Sequence, residues 1–273
     1  MLPYSFTYQK ANSVEDALAA LKSDDVKLLA GGHSLIPTLK LRMNQPSKLV
    51  DIGAIASLKG IKESGNEIVI GAGTTHYEIA TSKIIQSRLP MFAAGASMIG
   101  DLQVRNKGTI GGSLAHSDPS ADWPAMVLAA DATIEAQSSK GSRTIKATEF
   151  FKGLFTTALA NNEIITAIRV PVAAGKAAYT KFPQPASRYA VVGCAVVQHA
   201  DGIHIAFTGV TNHCYRDSAA EKALGGKLNA ASIDAACKAA AEGVSVLSDH
   251  YASEKYRKHL AKVYLKRALQ AIA

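Results

Sequence analysis

The sequence predicts an α+β protein in two parts, and three observations carry that prediction. Helical and strand-like runs alternate through the first 175 residues, but the strand runs are short and irregularly spaced, unlike the even rhythm of a doubly wound parallel sheet. Past residue 175, "AAYTKFPQPASRYAVVGCAVVQHADGIHIAFTGVT" is rich in β-formers and carries Asp201-Gly202 as a hairpin turn signal. From residue 217 the chain is Ala-rich at helical spacing. The boundary therefore falls near residue 175, dividing the chain into 1–175 and 176–273.

Taken in order, "SVEDALAALKSD" (13–24) opens with Ser-x-x-Asp and repeats apolar residues at helical spacing, so it reads as a capped helix. "KLLAG" is a short buried strand. "LIPTLKLRM" follows Ser34 as a helix, with Pro37 early enough to sit in a first turn. "KLVDIG" and "EIVIGAG" are two further strands, and "THYEIATSKIIQ" is a helix. "GTIGGSLAHSDPSADWPAMVLAADATIEA" carries a glycine-rich turn into a helix and then a strand, and "EIITAIRVP" is a strand closed by Pro171.

Composition narrows the function classes. Hydrophobic residues make up 48%, enough for a buried core. Aromatics are only 6%, too few for a surface that stacks single-stranded nucleic acid, so no nucleic-acid partner is expected. The net charge of +8 suits an acidic protein partner, an anionic cofactor or an anionic membrane surface, and equally a basic protein with no special partner. No apolar run approaches the roughly 18 residues needed to span a bilayer, and the start shows no secretory signal. Cys194, Cys214 and Cys237 are widely separated and form no C-x-x-C, which excludes a clustered iron–sulfur site and argues against a disulfide framework. The expected location is cytoplasmic, with peripheral contact at the inner face of the membrane left open.

Three glycine-bearing turns compete for a ligand. "GAGTTH" (71–76) follows a strand, but His76 occupies the third glycine position of a dinucleotide fingerprint and no acidic residue follows at the expected distance. Gly71 and Gly73 are better read as a tight strand exit. "AGGHS" (30–34) has no P-loop lysine, yet consecutive N–H groups in a Gly-Gly turn can converge on an anion, helped by the helix that follows. The plainer alternative makes Gly31-Gly32 a turn and Ser34 an N-cap. "GTIGGS" (108–113) repeats the device about 80 residues later, which suggests one ligand with two phosphates held from both sides. Asp122, in "SDPSADWP", is either the cap of a helix with Pro124 in its first turn or a carboxylate for sugar-like hydroxyls.

Three stretches in order, "AGGHSLIPTLKLRM", "QVRNKGTIGGSLAHSDPSADWPA" and "YTKFPQPASRYAVVG", resemble the FAD-binding medium subunit of bacterial molybdenum hydroxylases, aerobic carbon monoxide dehydrogenase foremost. The likeness extends over essentially the whole chain. It implies a two-lobed FAD domain of the p-cresol methylhydroxylase type, with lobes about 1–55 and 56–175. A C-terminal domain of the carbon monoxide dehydrogenase flavoprotein type, with a three-stranded antiparallel sheet and a helical bundle, would complete the chain.

The resemblance also implies site residues. Ala30, Gly31, Gly32, His33 and Ser34, with Thr109, Ile110, Gly111, Gly112 and Ser113, would hold the FAD pyrophosphate, mainly through backbone N–H groups. Asp122 would face the ribityl or sugar hydroxyls, Ile165 the flavin edge, and Lys181 and Tyr189 the isoalloxazine. Ser113 departs from the family pattern, which has Asn there. The FAD would be non-covalent, with His33 beside the pyrophosphate as a backbone donor and not a flavin tether. No catalytic or metal-ligating residue is expected in this chain. Molybdopterin and two [2Fe–2S] clusters would belong to a large and a small partner subunit, in an assembly compatible with a dimer of heterotrimers. Electrons would pass from those clusters through the flavin to a quinone or nicotinamide acceptor. The competing reading is a self-sufficient flavin oxidase of the same broad fold, although His199, His204 and His213 offer no evident base for one.

Overall fold

The computed structural model describes residues 2–21, 23 and 25–273, and their strands fall into four sheets. The first is parallel, in the order Thr7–Lys10, Lys48–Asp51, Val26–Leu29. Its crossovers contain the helices Val14–Ala20 and Leu35–Lys40. Ser13 caps the first of these by accepting from the Asp16 N–H, as the Ser-x-x-Asp start predicts. Strand Thr7–Lys10, "TYQK", has no counterpart in the sequence reading, because an exposed edge strand has no apolar face to alternate. The core under this sheet is small: Ala11, Val14, Ala17, Leu18, Val26, Val50, Ile55, Leu58 and, from far along the chain, Ile164.

The second sheet is antiparallel, in the order Ile61–Ser64, Glu67–Gly71, Ile164–Pro171, Thr133–Ser138, Gly141–Lys146. Helices between residues 76 and 129 cover it around fully buried Phe92, Ile79, Ile85 and Trp123. "THYEIATSKIIQ" forms two helices, His76–Thr81 and Lys83–Arg88, where the sequence suggests one. Each has its own cap: Thr75 makes a capping box with Glu78, and extended Ser82 accepts from the Ile85 N–H. The smallest sheet pairs Phe151–Gly153 with Thr156–Thr157.

The last sheet has three long antiparallel strands, Ala177–Pro183, Ala190–His199 and Gly202–Thr208, as expected. A two-residue strand, Tyr215–Arg216, extends its edge to four. Ala200 and Asp201 connect the hairpin, while Gly202 already pairs with His199. One face of the sheet, through Ala195, Val197 and Ala206, joins the core that contains helix Asp122–Ala129. The other face lies under helices Ser218–Leu224, Ala230–Ala239 and Glu254–Ile272. The last of these buries Leu260, Ala261, Tyr264, Leu265, Ala268 and Leu269, a stripe at i, i+3, i+4 spacing.

Arg257 on that helix is 2% exposed and donates to the Val191 and Gly209 carbonyls, 2.6 Å each, while pairing with Asp249 at 2.6 Å. The lysines on its opposite side are a solvated face: Lys258, Lys262 and Lys266 reach Glu254, Glu242 and Asp234 at 2.9–3.0 Å. All three cysteines are free thiols, and burial pushes Cys194 and Cys214 well above the ordinary range. Among the described residues no helix is long and apolar enough to cross a membrane.

Candidate functional site

The two glycine loops touch. A Cβ added at Gly31 would lie 2.1 Å from the Lys107 carbonyl oxygen, so only glycine lets the loop after strand Val26–Leu29 press against the segment that starts the second loop. Gly32 has φ +73°, a left-handed conformation that side chains disfavour. The turn leaves its donors unused: among the described residues, none of the backbone N–H groups from Gly31 to Leu35 donates within the protein. Such a run of N–H groups beside a left-handed residue is an anion-binding nest. The following helix, Leu35–Lys40, has only six residues, so the loop contributes more than the helix dipole. Ser34 does not cap it; its backbone is helical and its side chain makes no cap bond. His33 is exposed, with Nδ1 2.9 Å from the Gly31 carbonyl oxygen.

The second loop is built differently from the expectation of backbone donors. The N–H groups of Ile110, Gly111, Gly112 and Ser113 already donate, to the Thr74 and Ala72 carbonyls, the Thr109 hydroxyl and the Thr109 carbonyl respectively. Thr109 is the N-cap of helix Ile110–His116, and its own N–H is the one left over in this run among the described residues. The glycines here serve close approach. A Cβ on Gly111 would meet Ala72 Cβ at 2.5 Å, and one on Gly108 would meet His76 Nε2 at 2.6 Å.

His76 is the residue that sequence reasoning missed, treating it only as a misfit in a glycine fingerprint. It is 5% exposed, and its Nδ1 accepts the Trp123 indole N–H at 3.0 Å. Burial, with help from His33 and Arg105, pulls its pKa down to about 3. The ring is therefore neutral with its proton on Nε2, beside Gly108 on the cleft wall. No local signal marks this role, since Trp123 lies 47 positions away.

The loops, the end of strand Glu67–Gly71 and the turn at 187–189 surround a cleft of about 1060 Å³. Of the sequence-derived residues, Ala30, Gly31, Gly32, His33, Ser34, Thr109, Gly111, Gly112, Ser113, Asp122, Ile165 and Tyr189 line it. Ile110 is fully buried behind the wall, and Lys181 lies beneath it. Asp122 is neither helix cap nor free carboxylate. The cap position is Ala121, and Asp122 accepts from Tyr179 Oη at 2.5 Å and pairs with Lys181 Nζ at 2.9 Å. Burial raises the Asp122 pKa, while Lys181 and Tyr179 oppose that rise. Lys181 Nζ also donates to the Met98 carbonyl at 2.9 Å and the Arg188 carbonyl at 2.7 Å, so this buried cluster fixes the turn at 187–189 against the cleft.

Tyr189 on that turn and Ser34 on the first loop both line the cleft. Burial and nearby Asp118 raise the Tyr189 phenol pKa. Ile165 stands at a β-bulge, where the register slips before Ala167, and it lines the cleft. Lys10, Lys27, Lys59, Lys107 and Arg188 add positive charge around the rim.

A nest of free N–H groups, a long cleft and a cationic rim define a protein that holds a dianionic nucleotide cofactor. Comparison with known proteins makes this specific. The family model described as the FAD-binding domain in molybdopterin dehydrogenase matches residues 4–173, and that of the CO dehydrogenase flavoprotein C-terminal domain matches residues 177–272. The carbon monoxide dehydrogenase medium chain of Hydrogenophaga pseudoflava is 40% identical, over 99% of this chain and 98% of its own length. The glyceraldehyde dehydrogenase medium chain of Sulfolobus acidocaldarius is 38% identical over the full length of both. The solved structure of the Hydrogenophaga pseudoflava carbon monoxide dehydrogenase lacking the Mo-pyranopterin moiety superposes with TM-score 0.95, at 41% identity over 100% of this chain and 98% of the other. This chain belongs to the family of FAD-binding medium chains of molybdopterin dehydrogenases, and is an oxidoreductase subunit.

Proposed function

We propose that this chain carries one non-covalent FAD and passes electrons from [2Fe–2S] clusters of a partner subunit to a quinone or nicotinamide acceptor. Its complex would be a carbon monoxide dehydrogenase-like molybdenum hydroxylase with a molybdenum-binding large subunit and an iron–sulfur small subunit, working in the cytoplasm. The observation that carries this reading is the run of N–H groups from Gly31 to Leu35, unused among the described residues, on the wall of a cleft of about 1060 Å³.

Gly31 to Ser34 bind the pyrophosphate through backbone donors. The Thr109 N–H and the neutral His76 Nε2–H add to them from the second wall. Gly111 and Gly112 keep that wall low enough for close approach. Ile165 and Tyr189 border the flavin ring, and Ser113 lines the second wall of the cleft. Asp122 and Lys181 position the turn at 187–189 from below. His33, tied at Nδ1 to the Gly31 carbonyl, stays unbonded to the flavin. The FAD, when bound, supplies the step from one-electron clusters to a two-electron acceptor; the protein binds, orients and tunes it.

Extraction and chromatography of the cofactor from the native chain test this. One FAD per chain, with molybdenum- and iron-containing partners co-purifying from the native host, is the expected result. FMN, no flavin, or an isolated chain turning over its own substrate with dioxygen would overturn it.

A further inference from the structure

Past the C-terminal end of helix Asp122–Ala129, whose start borders the cleft, Asp131, His199 and His204 place one ligand atom each within 4.8 Å of one another. We propose that this cluster is a binding site for a divalent transition metal of the zinc type, clamping the C-terminal sheet to the FAD domain.

Four observations lead there. First, each imidazole is committed at one nitrogen and open at the other. His199 Nε2 meets the Ala129 carbonyl at 2.9 Å, and His204 Nε2 lies 3.4 Å from Asp201 Oδ1. Metal-binding histidines are held in this way, their second nitrogen fixed by a carbonyl or carboxylate. Second, His204 is 7% exposed, yet its Nδ1 has no hydrogen-bond partner among the described residues. Nδ1 comes 3.0 Å from Asp131 Oδ2 without meeting hydrogen-bond geometry, and against the effect of burial that carboxylate raises the His204 pKa. A buried nitrogen of this kind costs stability unless a partner satisfies it.

Third, the local charge suits a dication. Asp131 and Glu221 pair with Arg216, and Asp201 lies beside His204, so among the described residues three carboxylates stand with one guanidinium around the two imidazoles. Glu221 takes Arg216 through both carboxylate oxygens, which limits the guanidinium's repulsion of an ion at Asp131. Helix Asp122–Ala129 also points its negative C-terminal end at the cluster.

Fourth, Asp131 is held with φ +51°, uncommon for a residue with a side chain, at a position 40% exposed. That leaves an open side for water. Two imidazoles, one carboxylate and a water form a donor set that zinc accepts. The two histidines and Arg216 come from the C-terminal sheet, whereas Asp131 and the Ala129 carbonyl follow a helix of the FAD domain. A metal here would tie the two.

The test uses the full-length, tag-free, FAD-loaded chain dialysed against zinc chloride. One equivalent of zinc is expected, with imidazole scatterers at about 2.0 Å in its K-edge absorption fine structure. His204→Gln and His199→Gln should each weaken binding at least tenfold while the FAD content stays unchanged. Thermal unfolding of the parent chain, and not of the variants, should move upward with zinc. No bound equivalent at 100 μM zinc, a zinc environment without imidazole, or undiminished binding in both variants would overturn the proposal. The absorption measurement on the parent chain keeps the test decisive even if a variant fails to fold.

Discussion

At the scale of single residues, the cleft depends on atoms that are missing. Gly31 has no room for a methyl group, because the Lys107 carbonyl occupies that place; Gly31→Ala must push the loops apart. Gly32→Val must adopt a positive φ that valine resists. Both variants are expected to lose FAD occupancy at least tenfold while retaining the far-ultraviolet circular dichroism of the parent; full occupancy would sink the loop assignment. Acid precipitation of the parent should leave all yellow colour in the supernatant, and flavin retained by the polypeptide but lost in His33→Ala would show a covalent tether.

His76 makes a pH prediction. Its folded pKa of about 3 lies below the ordinary value, so above pH 6.5 it adds no pH dependence. As pH falls below 6.5 the unfolded chain takes up a proton that the folded chain refuses, and stability drops by about 1.4 kcal/mol per unit until pH nears 3. Denaturant titrations from pH 7 to 5 should show this slope in the parent and a shallower one in His76→Gln. Equal slopes would mean that the ring titrates normally. The glycines were legible as residues because a Gly-Gly turn is spelled locally. His76 was not, because its neutral state depends on burial and on Trp123, neither of which the local sequence displays.

At the scale of elements, the buried cluster of Asp122, Tyr179 and Lys181 joins a helix of the FAD domain to the first strand of the C-terminal sheet. Gly193 on the neighbouring strand makes room for it: a Cβ there would sit 2.4 Å from Tyr179 Oη. Removing one partner leaves a charge buried, so Lys181→Met should cost about 3–5 kcal/mol. Adding Asp122→Asn to that variant should restore part of the loss, because the stranded carboxylate is then gone. Urea unfolding of the four members of this cycle measures the coupling, and additive effects would mean that the pair is energetically idle.

The sequence marks Asp122 and shows only the roles visible nearby, a helix cap or a sugar contact. Its partners stand 57 and 59 positions away, beyond any local pattern. Elements with a buried stripe, such as Glu254–Ile272, or a buried run, such as Ile164–Pro171, were legible. Exposed edge strands such as Thr7–Lys10 and Ile61–Ser64 were not, since a strand with no buried face shows no hydrophobic period.

At the scale of the whole molecule, two domains share the helix Asp122–Ala129: its start is held by Tyr179 and Lys181, and its end faces the histidines of the C-terminal sheet. The order of parts, the hairpin and the closing helices could be read from the sequence. The contact between Gly31 and Lys107, in loops far apart in the chain, could only be suspected from their repetition.

The small core beneath the parallel sheet has a consequence for the life of the protein in a cell. That lobe carries the first loop, and its few buried side chains leave it little stability of its own. A ligand seated on both loops favours the closed arrangement in proportion to the logarithm of its concentration over its dissociation constant. Newly made chains should therefore survive according to flavin supply. In a host starved of riboflavin, pulse–chase labelling should show this subunit cleared faster than in a replete one, with early cuts inside residues 1–55.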